Sequence, residues 1–585
     1  MAQQIPFSFL GDASPLPFVQ FDDPNLERQD VEGLNVEFFA TVASEGASSV
    51  TERGFVWSLT DGPTIADNKV ISGSGLGSYS TIITFPTSDT VFYVRAYATN
   101  SEGTSYNSIV SLLWQTSYDP MIFTVQSTIP NETIAFASNE SLSLNLSMNM
   151  WINWGDGSPI ENIVTTTNNI HTIDHLYVSA GNHDIEISGT MSRLKLNSTN
   201  LVEFKQWGTQ PFGILRKGFH LCDFVYSATD TPVFDKSRLN QNVSGYSQGM
   251  GLSQMFFQTG PLFTGNSSFN SWDVSGIYFL GEIFEISAGF NADISNWVLD
   301  GTGGDCLLAY MFSNATAFNQ NLDSWDVSNA TSGIYLFYNV DLTASTLSNW
   351  DWANAFSFSN IFGNTSHIPS GIGSWTFSTA NTYSLSNMFR SSTGTIPDIT
   401  GWDVSNCYSI GSMFYDTSFN QNISVWDVST VRDFSYAFYG TPFNQDISIW
   451  DVSTANNFNG MFQNTAFNQD ISGWDISALN YPFSSKFVRI ADMFKNNTAF
   501  NQDISSWDIS NLYSASRFME NVTTFSTVNY DALLISWESQ LPTNHGIAIT
   551  IDFGTSQYTL GGAAEAARTS LINTYSWTIS DGGGI

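Results

Sequence analysis

The chain has 585 residues, too many for one hydrophobic core, so several domains are expected. Only 12% of residues are charged, 18 Lys+Arg stand against 53 Asp+Glu, and the formal net charge is −35. That balance argues against nucleic acid as a partner, since phosphate contacts need clustered cations, and the lack of any run of 18 or more apolar residues argues against membrane insertion.

Residues 1–30 are rich in Pro and Phe, with Pro6, Pro15, Pro17 and Pro24. Prolines among alternating apolar residues predict an extended arm rather than a helix. The expectation is a docking arm that packs Phe7, Phe9, Phe18 and Phe21 against a partner; the alternative is a disordered terminus. The opening MAQQIPFSFLGDASPLPF has no basic stretch followed by a continuous apolar run, so no secretory signal is expected.

Residues 31–116 alternate in short runs, LNVEFFATV, ERGFVWSL, YSTIITF and TVFYVRAYATN, separated by Gly and Asn/Asp turns, and predict a β-sandwich. The run from Thr90 to Gly103 resembles the late strands of fibronectin type III-like modules. Residues 117–192 predict a second small β-domain. Its pieces Trp151-Ile-Asn-Trp-Gly-Asp-Gly157, His175-Leu-Tyr177 and Gly181-Asn-His183 resemble the PKD-type immunoglobulin-like module, which implies a spacer or weakly adhesive unit.

From 193 to 525 a tryptophan returns about every 25 residues, at Trp272, Trp297, Trp325, Trp350, Trp375, Trp402, Trp426, Trp450, Trp474 and Trp507. A second landmark is Met-Phe or a relative, as in Met311-Phe312, Met413-Phe414 and Met461-Phe462. A repeat of this length cannot bury its own apolar face and must stack on copies of itself, which predicts a solenoid. In the copy Trp450–Ser472, Ile447, Ile449 and Val452 alternate around Trp450 and predict a short strand. Ala455, Phe458, Met461 and Phe462 recur at i, i+3, i+6 and i+7 and predict a short helix. About ten coils at roughly 4.8 Å each are expected. Residues 526–585 predict a closing cap, needed because a last coil would expose an unpaired edge.

The sequence W-D-V-S, then M-F, then F-N-Q-D-I-S resembles the BspA-like surface-protein repeat, a variant leucine-rich-repeat class. With the modules before it, the resemblance implies a mostly β, multidomain chain. Two Ig-like β-sandwiches would be followed by a right-handed β/α leucine-rich-like solenoid and a C-terminal cap.

Several side-chain rows invite a chemical reading. The recurrent Asn319, Asn420, Asn444, Asn468 and Asn501 predict a ladder that satisfies backbone groups at the turn. The Asp of W-D-V-S and a second row at Asp293, Asp446, Asp470 and Asp503 would stack like charges. Solvent exposure with hydrogen bonds to the local turn is one way to offset that repulsion. Bound Ca²⁺ is the other, with Asp427, Asp451 and Asp475 as candidates, since hard cations take clustered oxygen ligands. No cofactor is otherwise expected. Paired carboxylates also suit glycoside hydrolysis, yet a repeat supplies many equal pairs and no distinctive one, so no enzyme is expected. His171, His175 and His183 match no zinc spacing. The periodic Trp is expected in the core. Tyr335, Tyr338, Tyr415, Tyr436 and Tyr439 are the candidates for contact with a carbohydrate or protein. Cys222, Cys306 and Cys407 form neither a disulfide framework nor a metal motif, and Cys407 is expected as a small core residue.

These readings converge on a non-enzymatic structural and adhesive protein. The expected setting is a bacteriophage virion surface, as a tail fibre, head fibre or capsid decoration. Partners would be other virion proteins through the arm, host-surface glycan or protein through the solenoid, and further copies of the chain. A bacterial surface adhesin is the alternative, and a polysaccharide depolymerase the third.

Overall fold

The computed structural model describes residues 16–21, 30–31, 35–60, 62–84, 90–107, 110–114, 119–136, 148–158, 161–165, 173–190, 196, 200–212, 217–239, 252–300, 306–478, 487–541 and 547–585. The chain divides into two compact units, Met1–Asp119 and Pro120–Ile585.

In the first unit the alternating runs make two antiparallel sheets. In one, β1 (Phe18–Phe21) and β2 (Asp30–Val31) pair along one edge of β3 (Asn35–Ser44). The strand β6 (Gly77–Thr84) takes the other edge. The second sheet is built on β4 (Glu52–Ser58) and β7 (Thr90–Asn100), with β5 (Asn68–Gly73) outside β4 and β8 (Gly103–Tyr106) and β9 (Val110–Trp114) outside β7. Phe38, Ala40 and Val42 of β3 face Phe55 of β4 and Val94, Ala96 and Ala98 of β7 in one core, the layering of a sandwich. The expected arm is corrected here. Phe18–Phe21 is not a free segment but a sheet-edge strand, with Phe21 opposite Ala40 and Val19 buried. Phe18 projects from it and is 58% exposed. Phe7, Phe9 and the side chain of Phe21 lie outside the described residues.

The second unit opens with β10 (Met121–Ser127), β11 (Glu132–Phe136), β12 (Met148–Asn153), β13 (Glu161–Thr165), β14 (Ile173–Tyr177) and β15 (Gly181–Thr190). The W-G-D-G, H-x-Y and G-x-H pieces meet in a stack. Trp154 lies 4.6 Å from His175, His175 lies 4.7 Å from Tyr177, and Tyr177 lies 4.1 Å from His183. His175 Nε2 bonds Asp156 Oδ2 at 2.8 Å. This module does not end at 192. Its sheet runs β13–β12–β15–β10 and continues into β16 (Leu201–Gln206), while a separate parallel pair joins β17 (Pro211–Phe212) to β19 (Val233–Phe234). Beyond β16 the six-stranded sheet ends with β18 (Val225–Tyr226), which pairs parallel to it. One buried core runs unbroken from Met121 to Trp577. The module therefore seals the first coil of the solenoid, which would otherwise expose a sheet edge.

The solenoid has about 14 turns rather than ten. The surplus lies outside the ten Met-Phe landmarks, at Phe219 on entering, at Phe518-Met519, and at Ile551 and Ile579 in the cap. A parallel ladder climbs it through Ser332, Ser357, Ser384, Ser409, Asp433, Asn457, Arg489 and Ser514. Beside the ladder sit columns of identical side chains. The Phe of each Met-Phe pair stacks on the next, as at Phe284–Phe312 (5.8 Å), Phe312–Phe337 (5.7 Å) and Phe438–Phe462 (5.8 Å). The periodic tryptophans are buried beside them, and from Trp297 onward the indole N–H donates to a carbonyl one coil back, as at Trp426 to Ile399 (3.3 Å), Trp450 to Ile423 (3.3 Å) and Trp474 to Ile447 (3.2 Å).

The expected short helix is absent from the coil. Ala455, Phe458, Met461 and Phe462 are all buried, but tight turns place them there: Met461 N–H bonds Phe458 O at 3.2 Å and Gln463 N–H bonds Gly460 O at 3.1 Å. Successive three-residue turns put every third side chain inward and so imitate a helical stripe. What stops a helix is a left-handed residue on each side of the Met-Phe pair, such as Tyr310 (φ 60°) and Asn314 (φ 58°). Each left-handed non-glycine residue costs about 1 kcal/mol. The turn offsets this by releasing every second N–H to the following coil: Tyr310 to Ile334 O (2.8 Å), Phe312 to Leu336 O (3.1 Å) and Asn314 to Tyr338 O (2.8 Å). The strand expected around Trp450 is likewise extended loop, with Ile447 and Val452 buried and Ile449 75% exposed.

The C-terminal cap holds helices Thr527–Gln540 and Ala563–Asn573. The first starts where the Ser526 hydroxyl accepts from Asn529 N–H, and it buries Tyr530, Leu533, Leu534 and Trp537 on the last coils. Arg568 Nε bonds the buried Asp581 at 2.7 Å, and Tyr530 Oη bonds the same carboxylate at 2.7 Å, tying both helices to the terminal strand.

Candidate functional site

The left-handed turns create one face of the solenoid. Two columns of side chains flank the buried Met-Phe pairs there. The column before the pair reads Gln254, Glu282, Tyr310, Tyr335, Asn360, Asn387, Ser412, Tyr436, Gly460, Asp492 and Arg517. The column after it reads Tyr338, Gly363, Arg390, Tyr415, Tyr439, Gln463, Lys495 and Glu520, in register through the bonds Asn339 N–H to Gly363 O, Asn364 N–H to Arg390 O, Ser391 N–H to Tyr415 O and Asp416 N–H to Tyr439 O.

All five candidate tyrosines stand on this face, half-buried, in two groups. Tyr335 stacks on Tyr310 at 4.8 Å and leans on Tyr338 at 5.1 Å. Tyr415 stacks on Tyr439 at 4.1 Å, the two planes nearly parallel at 2°, with Tyr436 beside them at 6.2 Å from Tyr439. Glycine makes room for two rings: a Cβ on Gly460 would stand 2.2 Å from Tyr436 Cε1, and one on Gly363 would stand 2.9 Å from Tyr338 Cδ2. Much of each ring face is thus spent on a neighbouring ring, leaving edges and hydroxyls outward. Burial, then the neighbouring Tyr439, pushes the Tyr415 phenol up.

Residues not anticipated share the face. The Arg390 guanidinium lies 3.8 Å over the Tyr415 ring. Arg390 follows Met388-Phe389 as Tyr415 follows Met413-Phe414, so aligning the repeats on that pair would have found it. Toward the N-terminal end, Gln254 Nε2 donates to Glu282, and Glu285 lies one turn beyond. Burial, with the Glu282 charge, raises the Glu285 carboxyl to about 7. Toward the other end, Arg517 pairs with the buried Asp492 at 2.8 Å and Lys495 with Glu520 at 3.1 Å.

The acidic rows lie elsewhere on the coil. Each Asp closes its own turn: Asp427 Oδ1 accepts Ser429 N–H at 3.1 Å, Asp451 accepts Ser453 N–H at 3.0 Å, and Asp475 accepts Ser477 N–H at 2.9 Å. The second row repeats the device at Asp446 with Ser448 and Asp470 with Ser472, and those backbone donors hold both carboxyls below their ordinary range. Among the described residues no group of three or more His, Cys, Asp or Glu is arranged to hold a metal ion. The asparagine ladder joins coils: Asn420 Oδ1 accepts Asn444 N–H (3.1 Å), Asn444 Oδ1 accepts Asn468 N–H (2.9 Å), and Asn468 Oδ1 accepts Asn501 N–H (2.8 Å). Cys407 is buried, and that burial raises its thiol to about 12. Among the described residues no helix is long and apolar enough to cross a membrane.

Residues 250–375, 383–484 and 483–544 match a family model described as a Mycoplasma protein of unknown function, DUF285. No curated protein matches the chain, and no solved structure does. The family match and the β-solenoid together fit a BspA-like repeat protein, and such a repeat solenoid is consistent with an adhesive or structural role.

Proposed function

We propose that the chain is a non-enzymatic adhesion protein whose solenoid presents its tyrosine- and arginine-bearing face to a glycan or protein on a host surface. One observation carries the reading: a continuously buried core from Met121 to Trp577 holds a single face of half-buried Tyr and Arg side chains in register. Aromatic residues and Arg are the types that dominate recognition surfaces, and weak contacts repeated on many copies sum to avidity. The proposed setting is the surface of a virion, with further virion proteins bound through the N-terminal residues and self-association of the chain included. The union of small β-modules, a solenoid and a Ser/Thr/Asn/Gly surface with three cysteines supports a surface role.

The test is binding of fluorescent full-length protein to host cells before and after periodate oxidation of surface glycans, with peptide mass spectrometry of purified particles. Saturable binding and the chain's presence in particles are expected. Absence of binding overturns the adhesive role, and absence from particles overturns the setting.

One observation favours a second reading as polysaccharide depolymerase. Glu285, raised to about 7 beside Glu282, has the protonation a general acid needs. Release of oligosaccharides from host polysaccharide, lost in Glu285→Gln, is the result that would establish it.

A further inference from the structure

The distribution of cations in the solenoid is uneven. No Lys or Arg occurs between Arg238 and Arg390, and the six between 251 and 526 are Arg390, Arg432, Lys486, Arg489, Lys495 and Arg517. Lys495 and Arg517 are neutralised by Asp492 and Glu520. Arg390 makes no ion pair with any described residue, although the chain carries 53 carboxylates. Arg489 shares that trait, but its guanidinium lies 5.9 Å from the Tyr513 ring, whereas Arg390 lies 3.8 Å over Tyr415 on the tyrosine face.

Arg390 is also held. Its guanidinium rests 3.8 Å over the Tyr415 ring, and Tyr415 is backed by Tyr439 at 4.1 Å. Stacking of this kind desolvates one face of the cation and fixes its plane, while the N–H fork stays free for a planar anion. One coil back, Gly363 carries no side chain and lies under the Tyr338 ring, so the surface beside Arg390 is low and aromatic. Asn387, three residues before Arg390, adds an amide in the neighbouring column.

A fixed fork, aromatic bodies with polar tips and an amide are the groups that recognise a sugar ring bearing a carboxylate. The carboxylate pairs bidentately with guanidinium. The ring's hydroxyls bond the Asn387 amide and the outward phenol hydroxyls. A net charge of −35 opposes a dense polyanion at long range, but at physiological salt the repulsion fades beyond roughly 8 Å. A single acidic sugar is therefore a better fit than a heavily charged chain. We infer that the face formed by Tyr338, Gly363, Arg390, Tyr415, Tyr439 and Asn387 binds a carboxylate-bearing saccharide, with the carboxylate on Arg390. This rests on the glycan-binding reading above and names the class of glycan.

The test uses the full chain and isothermal titration with three probes: sialyllactose and tetragalacturonate as carboxylated saccharides, their carboxyl-reduced neutral forms, and a sulfated oligosaccharide. At least one carboxylated probe is expected to bind, with about tenfold or greater loss on carboxyl reduction and on Arg390→Met. Arg390→Lys is expected to recover part of that loss, because charge remains without the fork. Val425→Ser, on a different face, is expected to bind like the parent protein, and an unchanged melting curve for Arg390→Met separates lost contact from lost fold. Equal binding of neutral forms, or Arg390→Met at parental affinity, overturns the inference while the glycan reading stands. Tighter binding of the sulfated probe also overturns it. Host-cell binding that survives periodate, with no saccharide bound in titration, overturns the glycan reading itself and points to a protein partner.

Discussion

Replacing Gly460 by alanine isolates how the turns hold the tyrosine face. Gly460 has φ +60°, and an added Cβ would stand 2.2 Å from Tyr436 Cε1 and 2.3 Å from Tyr436 Cδ1. The left-handed conformation alone costs an alanine about 1 kcal/mol. The clash cannot be relieved within the coil, because Gly460 N–H is bonded to Ala491 O at 2.8 Å and Met461 beside it is fully buried. Tyr436 must therefore swing away and lose its packing, adding about 1 to 2 kcal/mol. The expected total is about 2 to 3 kcal/mol. Gly473→Ala is the internal control: nothing lies within 4 Å of its added Cβ and its φ is not left-handed, so it should be neutral or slightly stabilising. Urea unfolding followed by tryptophan fluorescence reads both, since 16 of the 18 tryptophans lie in Pro120–Ile585. Hydrogen exchange across 432–440 should rise in Gly460→Ala alone. Equal midpoints for the two variants would refute the argument that this ring is seated on bare backbone.

Three further outcomes follow from the same geometry. Trp450→Ala should cost about 3 to 5 kcal/mol by cavity formation, and it also removes one of the two hydrogen bonds Ile423 O accepts, seen as a lower urea midpoint with early exchange at 423–462. Glu285, whose pKa of about 7 lies above its unfolded value, should make the unit more stable at pH 5 than at pH 8: the folded state holds the proton, and that stabilisation fades as pH rises through 7. With Glu285 partly exposed the difference is about 1 kcal/mol, and Glu285→Gln should flatten it in urea titrations at the two pH values. Asp427→Asn should change stability by less than about 0.5 kcal/mol, since an amide oxygen can still accept Ser429 N–H, whereas Asp427→Ala should cost about 1 kcal/mol in the same titration.

The solenoid was legible because its core is written in large residues at fixed spacing: the Trp column, the Met-Phe pair and the Asn ladder each occupy the place their period implies. The turns were misread as helix because inward positions every three residues satisfy both. The telling signal was the residue after the outer column, where Asn314, Asn339, Asn364, Asp416, Gly440, Asn464, Asn496 and Asn521 repeat a type that tolerates left-handed backbone. The union of the second β-module with the first coil was invisible, because strand pairing between β10 and β16 joins segments about 80 residues apart and leaves no periodic trace. Phe18–Phe21 was taken for an arm because prolines surround it, though Pro before a strand suits a sheet edge. The tyrosine face was seen only in part, since only its tyrosines were singled out and the column that also holds Arg390 was not aligned on the Met-Phe pair.

The turns also give the molecule a direction. In coil after coil the N–H groups around each Met-Phe pair point toward the following coil and the carbonyls toward the preceding one, as at Glu282 to Ala309, Phe284 to Met311 and Ile286 to Ser313. Peptide dipoles aligned this way add, as they do along an α-helix, although no helix is present. The column thus has a partially positive pole at its C-terminal end, where Asp552 and Asp581 accept backbone N–H groups of Gly554 and Gly583, and a partially negative pole at the other. Both poles are covered, one by the β-module whose sheet runs into the first coil and the other by the helical cap, so the aligned dipoles end against protein.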